Sequence, residues 1–491
     1  MAGLKFYSHG KLQSFRASTL GALAKRAFAS RGRRGRGAGA AVAAPKVLKA
    51  LARQKSRLAS RFNEFNEETV RLMPTEAQAE HGMASAIIPT ETVIIEGAGT
   101  SELKWLRENH GLNVIHEGRS GKLLLRASEG GDEGLKRVFA ASTECFERGN
   151  VAAVHPNFLR MVSHPNPSAA DRTVQPWHVD NDGSTGVVGA DVHARAAWTI
   201  SRGDPGIRIA VLDEGVDSRH PQLRRSVVAE YDAVDENPTS RPDGDDAHGT
   251  ACAGIICSSA LRYPGLASKC SLVGVRIAKS DNEGHWIFDD FSTADAIDWS
   301  WEEAKADVLS NSWGGGPAVD VITNAFERAR TQGRDGKGSV LVIAAGNNQG
   351  PVAYPGSLPD VLTVGASNQW DERKTKTSDD NETWWGSNFG AALDLMAPGV
   401  KISTTDISGS SGYSTTQFTD TFNGTSSATP MVAACAGLIL SVRPDLQETQ
   451  VRKLITDTAD HLTQTGKWNK FVGHGRLNCY AALRAAKQMQ A

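Results

Sequence analysis

The sequence predicts an α/β protein in which a parallel sheet flanked by helices follows a smaller α+β domain. Three features predict this. Beyond about residue 205, short apolar runs of strand length alternate with helical segments, the pattern of buried parallel strands and crossover helices. Between residues 91 and 163 the periodicities run β-α-β-β-α-β, the order of a split βαβ unit. The stretch Ser163 to Arg172, rich in Pro, Asn, Ser and Asp, reads as a linker between the two.

The leader comes first in the chain. At 491 residues and 40% hydrophobic content, the protein is long enough for one large core plus a small domain. A formal net charge of −1 gives no overall case for nucleic acid or a membrane, but the charge is uneven. Met1 to Asn63 carries no Asp or Glu, while Lys and Arg recur and are densest in Arg31–Arg36. A secretory signal needs an apolar stretch of roughly 7–15 residues. The candidate here, Gly37–Ala44, is alanine and glycine rather than leucine. Residues 1–90 are therefore taken as a basic, largely disordered leader that runs into a solvated helix near Val47–Asn66. A weak export or transit signal and a nucleic-acid-binding tail stay open as alternatives. With no clear secretory signal peptide, the reading leans to the cytoplasm over secretion.

The small domain has Thr92–Glu96 as a strand. Ser101–Asn109 reads as a helix with Ser101 as N-cap and Leu103 and Leu106 on one face. Leu112–His116 and Lys122–Arg126 are strands joined by Gly118-Arg119-Ser120-Gly121. Gly134–Arg148 is a helix, and Val151–Val162 closes the domain as a strand. In the larger domain the strands are Ile207–Leu212, Ser271–Arg276, Val308–Ser310, Val340–Ala344 and Val361–Val364, and helices cover Asp289–Ala304 and Val319–Thr331. No internal repeat is visible. The longest apolar runs, such as Met431–Leu440, are too short to span a bilayer. Six scattered cysteines without a Cys-x-x-Cys pair make neither a disulfide scaffold nor a zinc site.

Three glycine-bearing turns carry the chemistry. Val211-Leu212-Asp213-Glu214-Gly215-Val216-Asp217 ends an apolar strand with an aspartate, where a parallel sheet presents functional groups. His248-Gly249-Thr250 supplies an imidazole, and Gly424-Thr425-Ser426-Ser427-Ala428-Thr429-Pro430 a hydroxyl at the start of a helix with proline in its first turn. A serine is a poor nucleophile until a base takes its proton and a third group orients that base. Ser426 is thus assigned as nucleophile, His248 as general base and acid, and Asp213 as the carboxylate that holds the imidazole. A tetrahedral oxyanion needs a donor, and the strand ending Ala345-Gly346-Asn347-Asn348 offers Asn347.

These residues, with Ser312-Trp313-Gly314, Tyr354-Pro355-Gly356, Ala397-Pro398-Gly399-Val400 and Gly473-His474-Gly475-Arg476-Leu477-Asn478, resemble the subtilisin-like serine peptidases, the subtilases of peptidase family S8. The order Asp, His, Ser is theirs. The likeness runs from about Gln175 to Leu483. It implies a subtilisin-like parallel sheet, an endopeptidase working through an acyl-enzyme, and protein or peptide substrates. Ser312, Trp313 and Gly314 would then pair through their backbone with substrate residues N-terminal to the cleaved bond. The domain at 91–163 resembles the ferredoxin-like propeptide that chaperones and inhibits such enzymes. Residues 164–185 become a linker with a self-cleavage site, and 186–491 the catalytic domain. The expected partners are the substrate and the chain's own propeptide; no nucleic acid, no membrane span and a monomer are expected.

Departures refine this. The family's His-Pro-Asp-Leu, whose aspartate serves a calcium site, is His220-Pro221-Gln222-Leu223, and Ser258–Lys269 contains no Asp, Glu or Asn. Calcium wants several hard oxygen ligands, so the common site looks lost. No metal is assigned and no cofactor is required for the chemistry, although other structural calcium is possible. Cys252, four residues after His248, resembles the cysteine of the thiol-containing subtilases and the kexin-like branch and would sit beneath the histidine; a plain buried cysteine stays open as the alternative. Ser427 stands where many subtilisins carry an oxidisable methionine. Glu214 and Asp245 resemble acidic positions with which kexin-like enzymes hold a basic P2 residue. Gly315-Gly316-Pro317, however, replaces the carboxylate they use for a basic P1. Two rival functions remain: a peptide ligase or cyclase on the same site, and a catalytically silent binding module.

Overall fold

A computed structural model of the chain describes residues 86–163, 176–280, 285–462 and 467–489, together with short strands at 4–8, 11–15, 18–19 and 71–72. The candidate signal at 37–44, the expected helix at 47–66 and residues 164–175 of the expected linker lie outside the described residues. The chain divides into two compact units. The first holds residues 1–163 with the later segments 285–295 and 316–324, and the second holds the remainder.

In the first unit the elements are β1 (Ala86–Glu96), α1 (Thr100–His110), β2 (Leu112–Glu117), β3 (Lys122–Ala127), α2 (Gly131–Arg148) and β4 (Ala153–Ser163). The strands pair antiparallel in the order β4-β1-β3-β2, the split βαβ arrangement. Val93, Ile95, Leu106, Leu125, Val138, Phe139 and Phe158 form its core. Ser101 is not the N-cap of α1: that position falls to Gly99, and no side chain caps the helix. Glu102 turns inward instead, where Arg148 and Asn150 hold its carboxylate at 3.0 and 3.1 Å. The outer edge of β4 is completed by a strand from much later in the sequence, His285–Asp289, paired antiparallel with Leu159–Ser163. Buried Arg160 pairs with buried Asp290 beside it.

The second unit is built on seven parallel strands. Its elements are β5 (Arg208–Asp213), β6 (Val227–Asp232), α3 (His248–Cys257), β7 (Ser271–Arg276), the part of α4 (Asp290–Glu302) from Ala296, β8 (Val308–Asn311), the part of α5 (Asp320–Gly336) from Ala325, β9 (Val340–Ala344), β10 (Leu362–Ser367) and β11 (Leu395–Pro398). An antiparallel ribbon follows, β12 (Ile402–Thr405) with β13 (Phe418–Phe422), then α6 (Thr425–Val442), α7 (Glu448–Asp457) and α8 (Cys479–Gln488). The sheet order is β6-β7-β5-β8-β9-β10-β11. From β5 the chain passes to the edge strand β6, comes back through β7, and then crosses to the other side of β5 as β8, which puts a topological switch point at the carboxyl end of β5.

Helix α6 explains why the strands are so apolar. Ala428, Met431, Val432, Cys435 and Ile439 share one core with Ile209, Val211, Val308, Val342 and Val364 of the sheet. The helix has 18 residues and a mean hydropathy of 1.5, enough by length and composition to cross a membrane, yet 89% of it is buried in this core. Packing of this unit already includes Trp177, which is buried and donates its indole N–H to Val400 O at 2.9 Å. Trp177 and Val179, both within the expected linker at 164–185, belong to this core.

Candidate active site

Asp213, His248 and Ser426 are positioned by three different elements of the second unit. Asp213 is the last residue of β5 and is fully buried. His248 opens α3, and its Nδ1 lies 2.9 and 3.1 Å from the two carboxylate oxygens of Asp213. A carboxylate there only accepts, so Nδ1 carries the proton and Nε2 is the basic nitrogen. Close approach explains the glycine after the histidine. A Cβ on Gly249 would sit 2.2 Å from Gly215 O and 2.9 Å from the Asp213 Cβ. Helix α3 is held from below as well, since Thr404 and Thr405 of β12 donate to Ala251 O and Thr250 O at 2.7 Å.

Ser426 is the second residue of α6, after Gly424 at the cap with φ +117°, a conformation that favours glycine. Its amide and the helix dipole are available to a developing negative charge. The helix starts earlier than expected, so Pro430 lies in its second turn rather than its first. The Ser426 hydroxyl donates to Ser312 O at 3.3 Å. Asn347 follows β9, and its Oδ1 accepts from the Thr425 amide at 2.8 Å and the Thr425 hydroxyl at 3.0 Å. A backbone N–H can only donate, so this contact fixes which end of the carboxamide is oxygen and leaves Nδ2 as its donor.

The expected substrate residues have mixed fates. Ser312 and Trp313 are buried just past β8, with Trp313 Nε1 on Asn311 Oδ1 at 3.2 Å. Gly314 lies against Tyr354 O, and Gly315 donates to that carbonyl at 2.7 Å. Asp245 is exposed. Glu214 is not: it is buried, and its Oε1 accepts the His248 amide at 2.6 Å. The two acids therefore differ in setting: Glu214 is turned inward to the N-terminus of α3, and Asp245 faces solvent. Sequence reading missed this role, as it missed Thr425 as the group that orients Asn347. The only signal for Glu214 was an acid directly beside the catalytic-type aspartate.

Cys252 lies one turn into α3 and is fully buried, its Sγ 3.9 Å from His248 Nδ1 and 3.5 Å from Ser426 O. Burial, with the nearby Asp213 charge second, pushes its thiol well above the ordinary range. Among the described residues, Asp213, His248 and Cys252 bring their ligand atoms within 4.8 Å of one another. That set offers one carboxylate, one imidazole and one thiol, a mixed donor group rather than a hard-oxygen cage. The loop 258–269 is closed by Ser259, which donates to Gln222 Oε1 at 2.9 Å, and by a bridge between Ser259 and Pro264.

The chain is similar to known proteins. A family model described as the subtilase family of S8 peptidases matches residues 204–475. Thermitase of Thermoactinomyces vulgaris is 33% identical over 299 residues, 60% of this chain and 94% of thermitase. The calcium-dependent protease of Nostoc sp. is 28% identical over 444 residues, 82% of this chain, which spans 64% of that relative's length. Among solved structures, fervidolysin from Fervidobacterium pennivorans superposes with a TM-score of 0.62 at 21% identity, covering 80% of this chain and 60% of that one. That likeness concerns the fold.

Proposed function

This chain belongs to the subtilase family, and from that premise we propose that it is a serine endopeptidase whose triad is Asp213, His248 and Ser426, with Asn347 as oxyanion donor. The observation that supports this most is the Asp213–His248 pair at 2.9 Å, buried at the switch point of a parallel sheet. The Ser426 helix begins within reach of the same sheet edge, through Ser312.

The reaction follows from the donors and acceptors. The Ser426 hydroxyl, which donates to Ser312 O at rest, must turn to His248 Nε2, which takes its proton as Oγ attacks the scissile carbonyl. The imidazolium is stabilised by Asp213. Negative charge on the carbonyl oxygen is met by Asn347 Nδ2 and the Ser426 amide. His248 then protonates the leaving amine, and water enters by the reverse route to release the acyl group. Substrate residues N-terminal to the bond would run along Ser312, Trp313 and Gly314. Any basic P2 preference would rest on Asp245, since Glu214 is occupied by His248.

The small N-terminal domain is proposed as a propeptide that is cut from the rest near residues 163–175. Supporting this is its four-strand order and the way its last strand takes up the edge of His285–Asp289. Intact mass of wild type beside Ser426→Ala tests the proposal. Wild type should split in that interval and the alanine variant stay whole; an uncut wild type that still hydrolyses peptides would contradict self-processing. The calcium dependence printed in the name of the Nostoc relative is not carried over to loop 258–269, which offers hydroxyls and an amide where carboxylates would be needed. Chelation should leave the melting of that loop unchanged, and a calcium-dependent shift there by hydrogen exchange would contradict it.

A further inference from the structure

Pro430 stands four residues after Ser426 inside α6. In an α-helix the amide of each residue donates to the carbonyl four positions earlier, and proline has no N–H. The carbonyl of Ser426 is therefore denied its helical donor, although it is buried and buried carbonyls are nearly always paired. Two side chains from outside the helix meet it. Ser312 Oγ donates at 3.0 Å from the end of β8, and Cys252 Sγ at 3.5 Å from α3. Ser312 also accepts the Ser426 hydroxyl on its own carbonyl at 3.3 Å, so the two serines are joined at both backbone and side chain.

Resting on the reading of Ser426 as nucleophile, we propose that Ser312 and Cys252 are positioning residues, which fix the nucleophile's backbone in place of the helical bond that Pro430 withholds. The physical consequence is a change of reference frame. A serine held only by its own helix would move with α6. Held by Ser312 and Cys252, its carbonyl is referenced to the sheet edge and to the helix that carries the base, whose Nδ1 is 3.9 Å from the same sulfur. The raised thiol pKa is consistent with this, since an S–H that stays protonated remains a donor.

The test measures kcat and KM on a peptide anilide, with active sites counted by fluorophosphonate labelling. Ser312→Ala should lower kcat per labelled site about tenfold with KM little changed, the loss of one well-aligned hydrogen bond felt at the reacting atom. Ser312→Thr, which keeps the hydroxyl, should retain most of the rate. Cys252→Ala should cost about threefold, a weaker donor's share, and Cys252→Ser should restore it. Pro430→Ala returns an amide to the helix, so Ser312→Ala combined with Pro430→Ala should recover most of the loss, and it provides the readout if Ser312→Ala alone does not fold. Wild-type rates per site in Ser312→Ala and Cys252→Ala, or no recovery with Pro430→Ala, would overturn the positioning role while leaving the nucleophile intact. A wild type that fluorophosphonate does not label at Ser426 would overturn both.

Discussion

Replacing Glu214 with alanine should destabilise the second unit and slow catalysis evenly, without changing the residue preferred at P2. The carboxylate is 4% exposed and accepts the His248 amide at 2.6 Å, a charge-assisted bond at a helix N-terminus. Leaving a buried amide unpaired costs about 1–3 kcal/mol, and removing an anion from a helix start adds about 0.3–2 kcal/mol. A total of about 1–5 kcal/mol follows, which for a unit of this size lowers the melting temperature by about 2–10 °C. Glu214→Gln keeps an acceptor and loses the charge, so about a third of that shift is expected. Melting is best followed in a Ser426→Ala background, where self-digestion cannot intervene. Activity is then compared on peptides with Lys, Arg, Ala or Leu at P2. A selective loss on Lys and Arg with an unchanged melting temperature would show that Glu214 reaches substrate, and the capping assignment would fail.

Three further outcomes are expected. Asn347→Ala should lower kcat by about 10²–10³, the magnitude known for removing one such donor in a subtilisin, while KM moves little; an unchanged kcat would remove Asn347 from the oxyanion site. Asp246, two residues before His248, is raised to about 7, chiefly by burial, and accepts from the Ser280 amide at 3.1 Å. A folded value above the unfolded one of about 3.9 means that ionisation costs stability as pH rises from about 4 to 7, so Asp246→Asn, in the Ser426→Ala background, should gain in melting temperature over its parent across that interval; a difference that does not change with pH would refute the burial penalty. His193 is raised first by its hydrogen bond to Asp460, at 2.8 Å. A raised histidine adds stability that is fully present below its unfolded value of about 6.5 and is lost as pH rises through the folded one. The advantage of wild type over His193→Gln, again in the Ser426→Ala background, should be largest below about pH 6.5 and shrink as the pH rises above it; a constant advantage would contradict the ion pair.

Much of the fold was legible because burial leaves a strong periodic signature. Ser271–Arg276 and Val340–Ala344 were read at their true limits, since strands buried on both faces are continuously apolar and end at polar turns. Edge strand β6, with Val228 exposed and Glu230 and Asp232 within it, lacks that signature and was missed. So was the short ribbon of β12 and β13, where Thr404 and Thr405 are turned to hydrogen bonds with α3 and interrupt the apolar run. The candidate triad could be assigned from its glycine turns because each glycine answers a steric demand, as Gly249 does against Asp213. The inward turn of Glu214 and the orientation of Asn347 by Thr425 were not visible. Both depend on contacts across 34 and 78 residues of chain that no local pattern records. Pro430 misled for a related reason: a proline usually marks the first turn of a helix, and here it sits deeper because outside donors serve the carbonyl it orphans.

Stoichiometric labelling with a fluorophosphonate, followed by peptide mapping, bears most directly on the assignment of the nucleophile. One adduct per chain on Ser426, abolished in Ser426→Ala and strongly slowed in His248→Ala, is the expected result. An adduct on a different serine, or peptide hydrolysis that persists in Ser426→Ala, would show that the buried Asp213–His248 pair serves some other group.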